Sequence, residues 1–192
     1  AEQVEVEPAQ ELIRDIFIAR IIEAKGLAGA REFVGGEILP TPKATLQAAA
    51  LLADGTDDEP GIGSLVIVEV GGATTNIHSV SGGAPSDPQT LVKELPEPRV
   101  KRTVEGDLGI RYNAPTIHGL LGDGPCHARL RSIHPSLEED SIDLSAHVRA
   151  LAANVGYVPS STLEYDVDVM LAESATSVAM QRHAGTLREE FS

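Results

Sequence analysis

The stretch 66-VIVEVGGATTNIHSV-80 decides how the rest of the chain is read. Val66, Ile67, Val68 and Val70 form an apolar run too short for a buried helix and too β-branched for a loop, which predicts a central strand. A second apolar alternation leaves through Ile77 and Val80, so the sequence predicts a hairpin with strands over 64–70 and 76–81. A simple two-residue hairpin uses Asn-Gly or Asp-Gly and stops. Here Gly71, Gly72, Ala73 and Thr74 carry little or no bulk before Thr75. Two readings follow from the residues alone. The loop is a tight turn, or it is kept small so that a phosphate can approach its backbone. In the second reading Gly71 and Gly72 adopt angles that aim successive N–H groups at one point, and Thr74 and Thr75 add hydroxyl donors. At least one of the two glycines is then expected at positive φ or in close approach to a neighbouring backbone. His78, two residues beyond Asn76, shares its face by alternation; such a histidine more often packs or caps than meets a ligand.

Outward from the hairpin, helical periodicity dominates. Leu12, Ile13, Ile16, Phe17, Ile21 and Ala24 predict an amphipathic helix between Pro8 and Gly26. Thr41 as N-cap with Pro42 at the first helical position opens an Ala/Leu-rich helix ending near Gly55. The acidic 54-DGTDDEPGIG-63 reads as a connector. On the other side a third strand is expected around Thr90 to Leu95. The segment 101-KRTVEGDLGIRYNAPTIHGLLGDG-124 reads as a loop and then one or two short helices. A helical or broken pattern follows over 137–153, and a last helix runs from near Leu163 to His183 with Gly185 as its stop. The resulting class is α/β, a mixed sheet with flanking helices.

The 192 residues suffice for one domain or one lobe of a larger protein. Fifteen basic against 29 acidic side chains, a net charge of −14, argue against non-specific nucleic-acid binding and against an anionic membrane surface. No apolar run reaches the ~18 residues of a spanning helix. One cysteine, Cys126, cannot form an internal disulfide, which points to a reducing cytoplasm. The chain opens AEQVEVEPAQ without Met and is expected to be a piece of something longer. A Walker-type G-x-x-x-x-G-K-[ST] is absent, which sets aside a P-loop enzyme.

The stretch EVGGATTN resembles the second phosphate motif, D-x-G-G-x-T-x-D on a β-hairpin, of the actin, Hsp70 and sugar-kinase ATPase superfamily. The longer blocks VGGATTNIHSV, LPEPRVKRTVEGDLGIRYNA and RHAGTLREEF resemble the glutamate-mutase accessory proteins, a family called MutL that is unrelated to the DNA-repair protein of that name. The likeness runs from the first helix to the C-terminus. It implies an actin-like, ribonuclease H-like lobe belonging to a two-lobed protein. Residues 1–60 would be a helical segment, and 61–192 part of the second lobe with a helical insertion at about 107–160. It also implies an ATP-dependent factor that reactivates an adenosylcobalamin-dependent mutase, with the mutase subunits and nucleotide as partners and room for a homodimer.

Carried over residue by residue, the resemblance gives Glu69 the catalytic, magnesium-side position. Gly71, Gly72, Ala73, Thr74 and Thr75 take the phosphate of ATP, and Asn76 the last place of the motif. Glu69 stands where Asp is usual, reaching ~1.5 Å further, and Asn76 puts a neutral amide where a carboxylate is usual. An alternative is therefore a non-catalytic interaction module with a decayed nucleotide site. An acyl-CoA dehydratase activator of the same superfamily would need iron–sulfur cysteines, and one Cys is too few. The superfamily's other nucleotide motifs are absent from the chain, so by itself it is expected to bind ATP no better than about millimolar.

Other clusters carry less. His118, Cys126, His127 and His134 match no zinc spacing. Asp107 reads as a helix cap rather than a ligand. Arg182 and His183 sit where cations favour a helix C-terminus.

Overall fold

The computed structural model of the chain describes residues 39–82, 97–136 and 142–185, with Pro8, Leu12, Ile13, Ile16 and Arg20 nearer the N-terminus; among the described residues from 39 onward there are three strands and five helices. The chain divides into two compact units, Ala1–Ala48 and Ala49–Ser192. In the first, Pro8, Leu12, Ile13, Ile16 and Arg20 are helical, as the periodicity predicts.

Helix α1 spans Thr41–Asp54. The Pro40 carbonyl accepts from the N–H groups of Lys43 and Ala44, so the helix opens one residue earlier than a Thr41 cap would place it. Strands β1 (Leu65–Val70) and β2 (Thr75–Val80) pair antiparallel, Glu69 opposite Asn76 and Val70 opposite Thr75. Strand β3 (Val100–Glu105) pairs antiparallel with β2, Arg102 opposite His78 and Glu105 opposite Thr75.

Two expectations change here. Among the described residues the sheet is wholly antiparallel, in the order β1-β2-β3, not mixed. The segment read as a loop after Pro98 is β3: Val100, Thr103 and Val104 are β-branched, and Lys101 and Arg102 lay long apolar stems along the sheet. The adjacent charges of Lys101 and Arg102, with Glu105 at the end, hid the strand. The strand expected at 90–95 lies outside the described residues.

The sheet has two unlike faces. Leu65, Ile67, Val80 and Val100 pack with Ala49 and Ala53 at the C-terminal half of α1. The opposite face places Val68 and Ile77 in the main core. That core is completed by α2 (Ala114–Leu121), α3 (Asp123–Ile133), α4 (Leu144–Ala153) and the long α5 (Thr162–Ala184). Ile117, Leu130, Leu151, Met170 and Leu171 are fully buried there. With so few aromatics, this is an aliphatic core in which truncating a large side chain costs about 2–5 kcal/mol.

Two helix starts follow from side-chain caps. Asp143 accepts from the Ala146 N–H at 2.8 Å, and Ser161 from the Glu164 N–H at 3.3 Å. Glu164 reaches back to the N–H and hydroxyl of Ser160, both within 2.8 Å, and accepts from Tyr157. The tyrosine hydrogen bond and these two donors hold its carboxyl down at about 2. The end of α5 falls where the sequence predicts it, at Gly185, whose φ of 78° is the left-handed region that glycine tolerates. No helix among the described residues is long and apolar enough to cross a membrane.

Candidate functional site: the hairpin tip and its splint

The tip of the β1–β2 hairpin is held from outside itself. After β3 the chain turns through Gly106 to Asn113 and lies against the tip as a splint. The Ile110 N–H donates to the Gly71 carbonyl at 3.0 Å. Those of Arg111 and Tyr112 both donate to Gly72, each at 2.9 Å. The Asn113 side-chain amide donates to the Ala73 carbonyl at 3.0 Å and to Gly106 at 2.9 Å. Close approach is possible because residue 109 is glycine: a Cβ there would lie 2.2 Å from the Ala73 carbonyl carbon and 2.4 Å from the Gly72 oxygen.

Consequences for the tip follow from peptide geometry. A trans peptide points its C=O and the next N–H to opposite sides. With the carbonyls of Gly71, Gly72 and Ala73 bound to the splint, the N–H groups of Gly72, Ala73 and Thr74 face away from it. Among the described residues none of these three has an acceptor. Gly71, Gly72 and Ala73 are exposed and Thr74 is half-buried. The result is three neighbouring donors at an open loop.

Of the two features expected of the glycines, positive φ or close approach, only the close approach is found. Neither Gly71 nor Gly72 has positive φ. Gly71 does approach its neighbours closely, since a Cβ would stand 3.1 Å from the Thr74 oxygen, but the tight contact is at Gly109. The tip is shaped by the splint more than by its own glycines. Thr75 also differs from expectation: it is fully buried, and its hydroxyl donates to the Leu108 carbonyl at 2.7 Å, so it faces the splint's base and not the side of Thr74.

On the α1 face of the sheet a polar group lies beside the tip. The His78 ring, fully buried, places Nε2 2.6 Å from Glu69 Oε2; a carboxylate only accepts, so the imidazole N–H donates. Arg102 donates to Asn76 Oδ1 at 3.2 Å. His78 Nδ1 and Arg102 Nε are buried with no hydrogen-bond partner among the described residues. Burial pulls the Arg102 guanidinium below its ordinary value, and the Glu69 charge opposes that. Glu69 and Asn76 thus both lie at the tip end of the sheet, each already accepting from a nitrogen.

The remaining clusters tie the fold together. Arg111 donates to both oxygens of Asp168 on α5, at 2.7 and 2.5 Å. Arg182 donates to Glu105 at 2.6 Å and to both oxygens of Asp107 at 2.7 and 2.9 Å. Asp107 is therefore an ion-pair partner and not the helix cap expected of it, and Arg182 holds its carboxyl below the usual range. His183, read as a helix-end cation, is instead buried, bonded to the hydroxyls of Thr103 and Ser79 at 2.8 Å each. Burial and the nearby Lys101 charge push its imidazole down, so it stays neutral. His118 and His127 contact Asp123, His134 meets Asp166 at 2.7 Å, and Cys126 is buried. Gly109, Arg111, Asn113 and Asp168 were not singled out by sequence reasoning. The block DLGIRYNA held the signal: a glycine between two apolar residues, with an amide four residues on.

Comparison with known proteins agrees with the resemblance. No solved structure matches the chain. A curated relative, "Protein MutL" of Clostridium tetanomorphum, is 42% identical over 186 residues, covering 97% of this chain and 39% of its own length. The chain thus spans about two-fifths of that relative. The family model described as "MutL protein" matches residues 1–192. With the whole chain matched and that identity, the protein belongs to the MutL family to which VGGATTNIHSV and KRTVEGDLGIRYNA point, and not to the DNA-repair proteins of the same name.

Proposed function

We propose that this chain contributes one wall of a nucleotide site in a cytoplasmic, ATP-dependent factor that reactivates an adenosylcobalamin-dependent mutase such as glutamate mutase. The fold would be part of an actin-like lobe. The observation that carries the reading is the row of outward N–H groups at Gly72, Ala73 and Thr74, with the Thr74 hydroxyl beside them. Backbone donors at an uncrowded loop suit the terminal phosphate of ATP, where hydrogen bonds to a charged group are worth about 1.5–3 kcal/mol.

For magnesium the residues fit less directly. Asn76 Oδ1 is turned to Arg102 and Glu69 Oε2 to His78, and a bound divalent ion would stand beside a guanidinium. In this proposal Glu69, oriented by His78, would take the magnesium side of the site, and Asn76, turned to Arg102, would supply no ligand. Magnesium would supply charge neutralisation of the phosphates when bound.

The same observation favours a second reading, a non-catalytic partner-binding module whose hydrolytic site has decayed. Steady-state phosphate release by a full-length protein carrying this sequence separates the two. The double change Glu69→Asp with Asn76→Asp is expected to raise turnover, and Thr74→Ala to weaken ATP binding. Wild-type turnover that is already ordinary, and unchanged or lowered by the double change, would rule out the decayed-site reading.

A further inference from the structure

We propose that Asn113 and the Arg111–Asp168 ion pair are positioning residues that set the hairpin tip for a terminal phosphate; this rests on the phosphate reading above. The physical problem is that a glycine-rich tip can turn its peptides over. A flipped plane exchanges C=O for N–H, and glycine admits the new angles at little cost. A carbonyl oxygen turned outward would repel a phosphate where an N–H attracts it. The donors are therefore only as well aimed as the carbonyls behind them are held.

Each of those carbonyls is held by the splint, but not in the same way. Gly71 and Gly72 accept from backbone N–H groups, which no side-chain substitution removes. Ala73 accepts from the Asn113 side chain. Asn113 is thus the side chain that fixes the plane presenting the Thr74 N–H, and its second bond, to Gly106, braces one end of the splint against the other.

The splint is in turn gripped by α5 at two places. Arg111, whose N–H holds Gly72, places its guanidinium on Asp168, and both side chains are only 14% exposed. Arg182, near the other end of α5, holds Glu105 and Asp107 at the start of the splint. Because Asp168 already neutralises Arg111, the arginine acts on the tip through position and not as a free phosphate ligand. The aim of the three N–H groups therefore follows where α5 lies.

The test compares ATP and ADP affinities, by calorimetry with magnesium, in a full-length protein carrying this sequence. Asn113→Ala removes the side-chain brace without changing charge. The double change Arg111→Leu with Asp168→Leu removes the ion pair and is also charge-neutral, so it serves if the first variant folds poorly. Melting temperature is read for every variant. Each is expected to weaken ATP about ten-fold, as the loss of one aimed bond to a charged phosphate predicts, while ADP changes less than about two-fold. Equal weakening of ATP and ADP, or a lowered melting temperature with both affinities intact, overturns the proposal. If Thr74→Ala weakens ATP but the splint variants do not, the tip binds phosphate and the splint does not position it. If Thr74→Ala also changes nothing, the phosphate reading itself fails and the inference with it.

Discussion

Two buried histidines, one against each face of the small sheet, show how differently those faces are finished. His183, near the C-terminus of α5, closes the face that carries Ile77. Both its nitrogens meet hydroxyls at 2.8 Å, and Lys101 caps the His183 carbonyl at 2.7 Å. His78, on the α1 face, meets Glu69 through one nitrogen and leaves the other buried with no partner among the described residues. Buried polar groups are nearly always paired in folded proteins, because an unmade bond costs about 1–3 kcal/mol. One face is therefore built for stability. The other keeps unmade hydrogen-bonding capacity on the side where Glu69 and Asn76 lie toward the hairpin tip.

The comparison is easiest to break at Gly109. Its Cβ in Gly109→Ala would lie 2.2 to 2.5 Å from atoms of Gly72 and Ala73, all of them backbone. No rotamer relieves that clash, so the loss is expected at or above the upper end of overpacking, about 3 kcal/mol by urea unfolding. A loss under about 0.5 kcal/mol would mean that the splint does not rest on the tip.

A smaller effect sharpens the contrast between the histidines. His183→Ala leaves the hydroxyls of Ser79 and Thr103 unpaired and is expected to cost about 2–3 kcal/mol. His78→Ala removes one orphaned nitrogen along with the ring, and the partly exposed Glu69 can turn to water, so it should cost about 1 kcal/mol less. Equal losses would erase the distinction between a sealed and an open face.

The smallest effect is in pH. The His183 imidazole is held below its ordinary 6.5 by burial and by Lys101. Its folded-state value is depressed, so the unfolded chain takes up the proton first as pH falls. Stability is full above about 6.5 and declines below it until the depressed folded value is reached. Thermal melts of the wild type should be level from pH 8 to 7 and fall toward pH 5, and His183→Gln should flatten that fall. An unchanged slope in the variant would show that the histidine is not buried neutral.

How much of this was legible in the sequence depended on the range of the interaction. The hairpin, the helix opened at Thr41 and Pro42 and the stop of α5 at Gly185 are local signals of period, cap and turn. Strand β3 was missed because Lys101, Arg102 and Glu105 are charged and the adjacent Lys101 and Arg102 break an apolar alternation, while their β-compatible stems count for little in a propensity reading. The site divided along the same line. Gly71 to Thr74 announced themselves by composition, whereas Gly109 and Asn113 matter only because the fold brings them 36 and 40 positions back to Ala73, and Asp168 only because it meets Arg111, 57 positions away. Arg182 misled for the same reason: a helix-end cation is a local reading, and its partners on β3 and the following turn are 75 and 77 residues away.

The central claim is that the N–H groups of Gly72, Ala73 and Thr74 receive a terminal phosphate. Amide hydrogen exchange of the 66–80 segment, followed by mass spectrometry in a full-length protein carrying this sequence, reads those three groups themselves. ATP with magnesium should slow their exchange, and ADP at equal saturation should leave it near the unliganded rate. Exchange at the tip that is untouched by saturating ATP, or slowed equally by ADP, would contradict it.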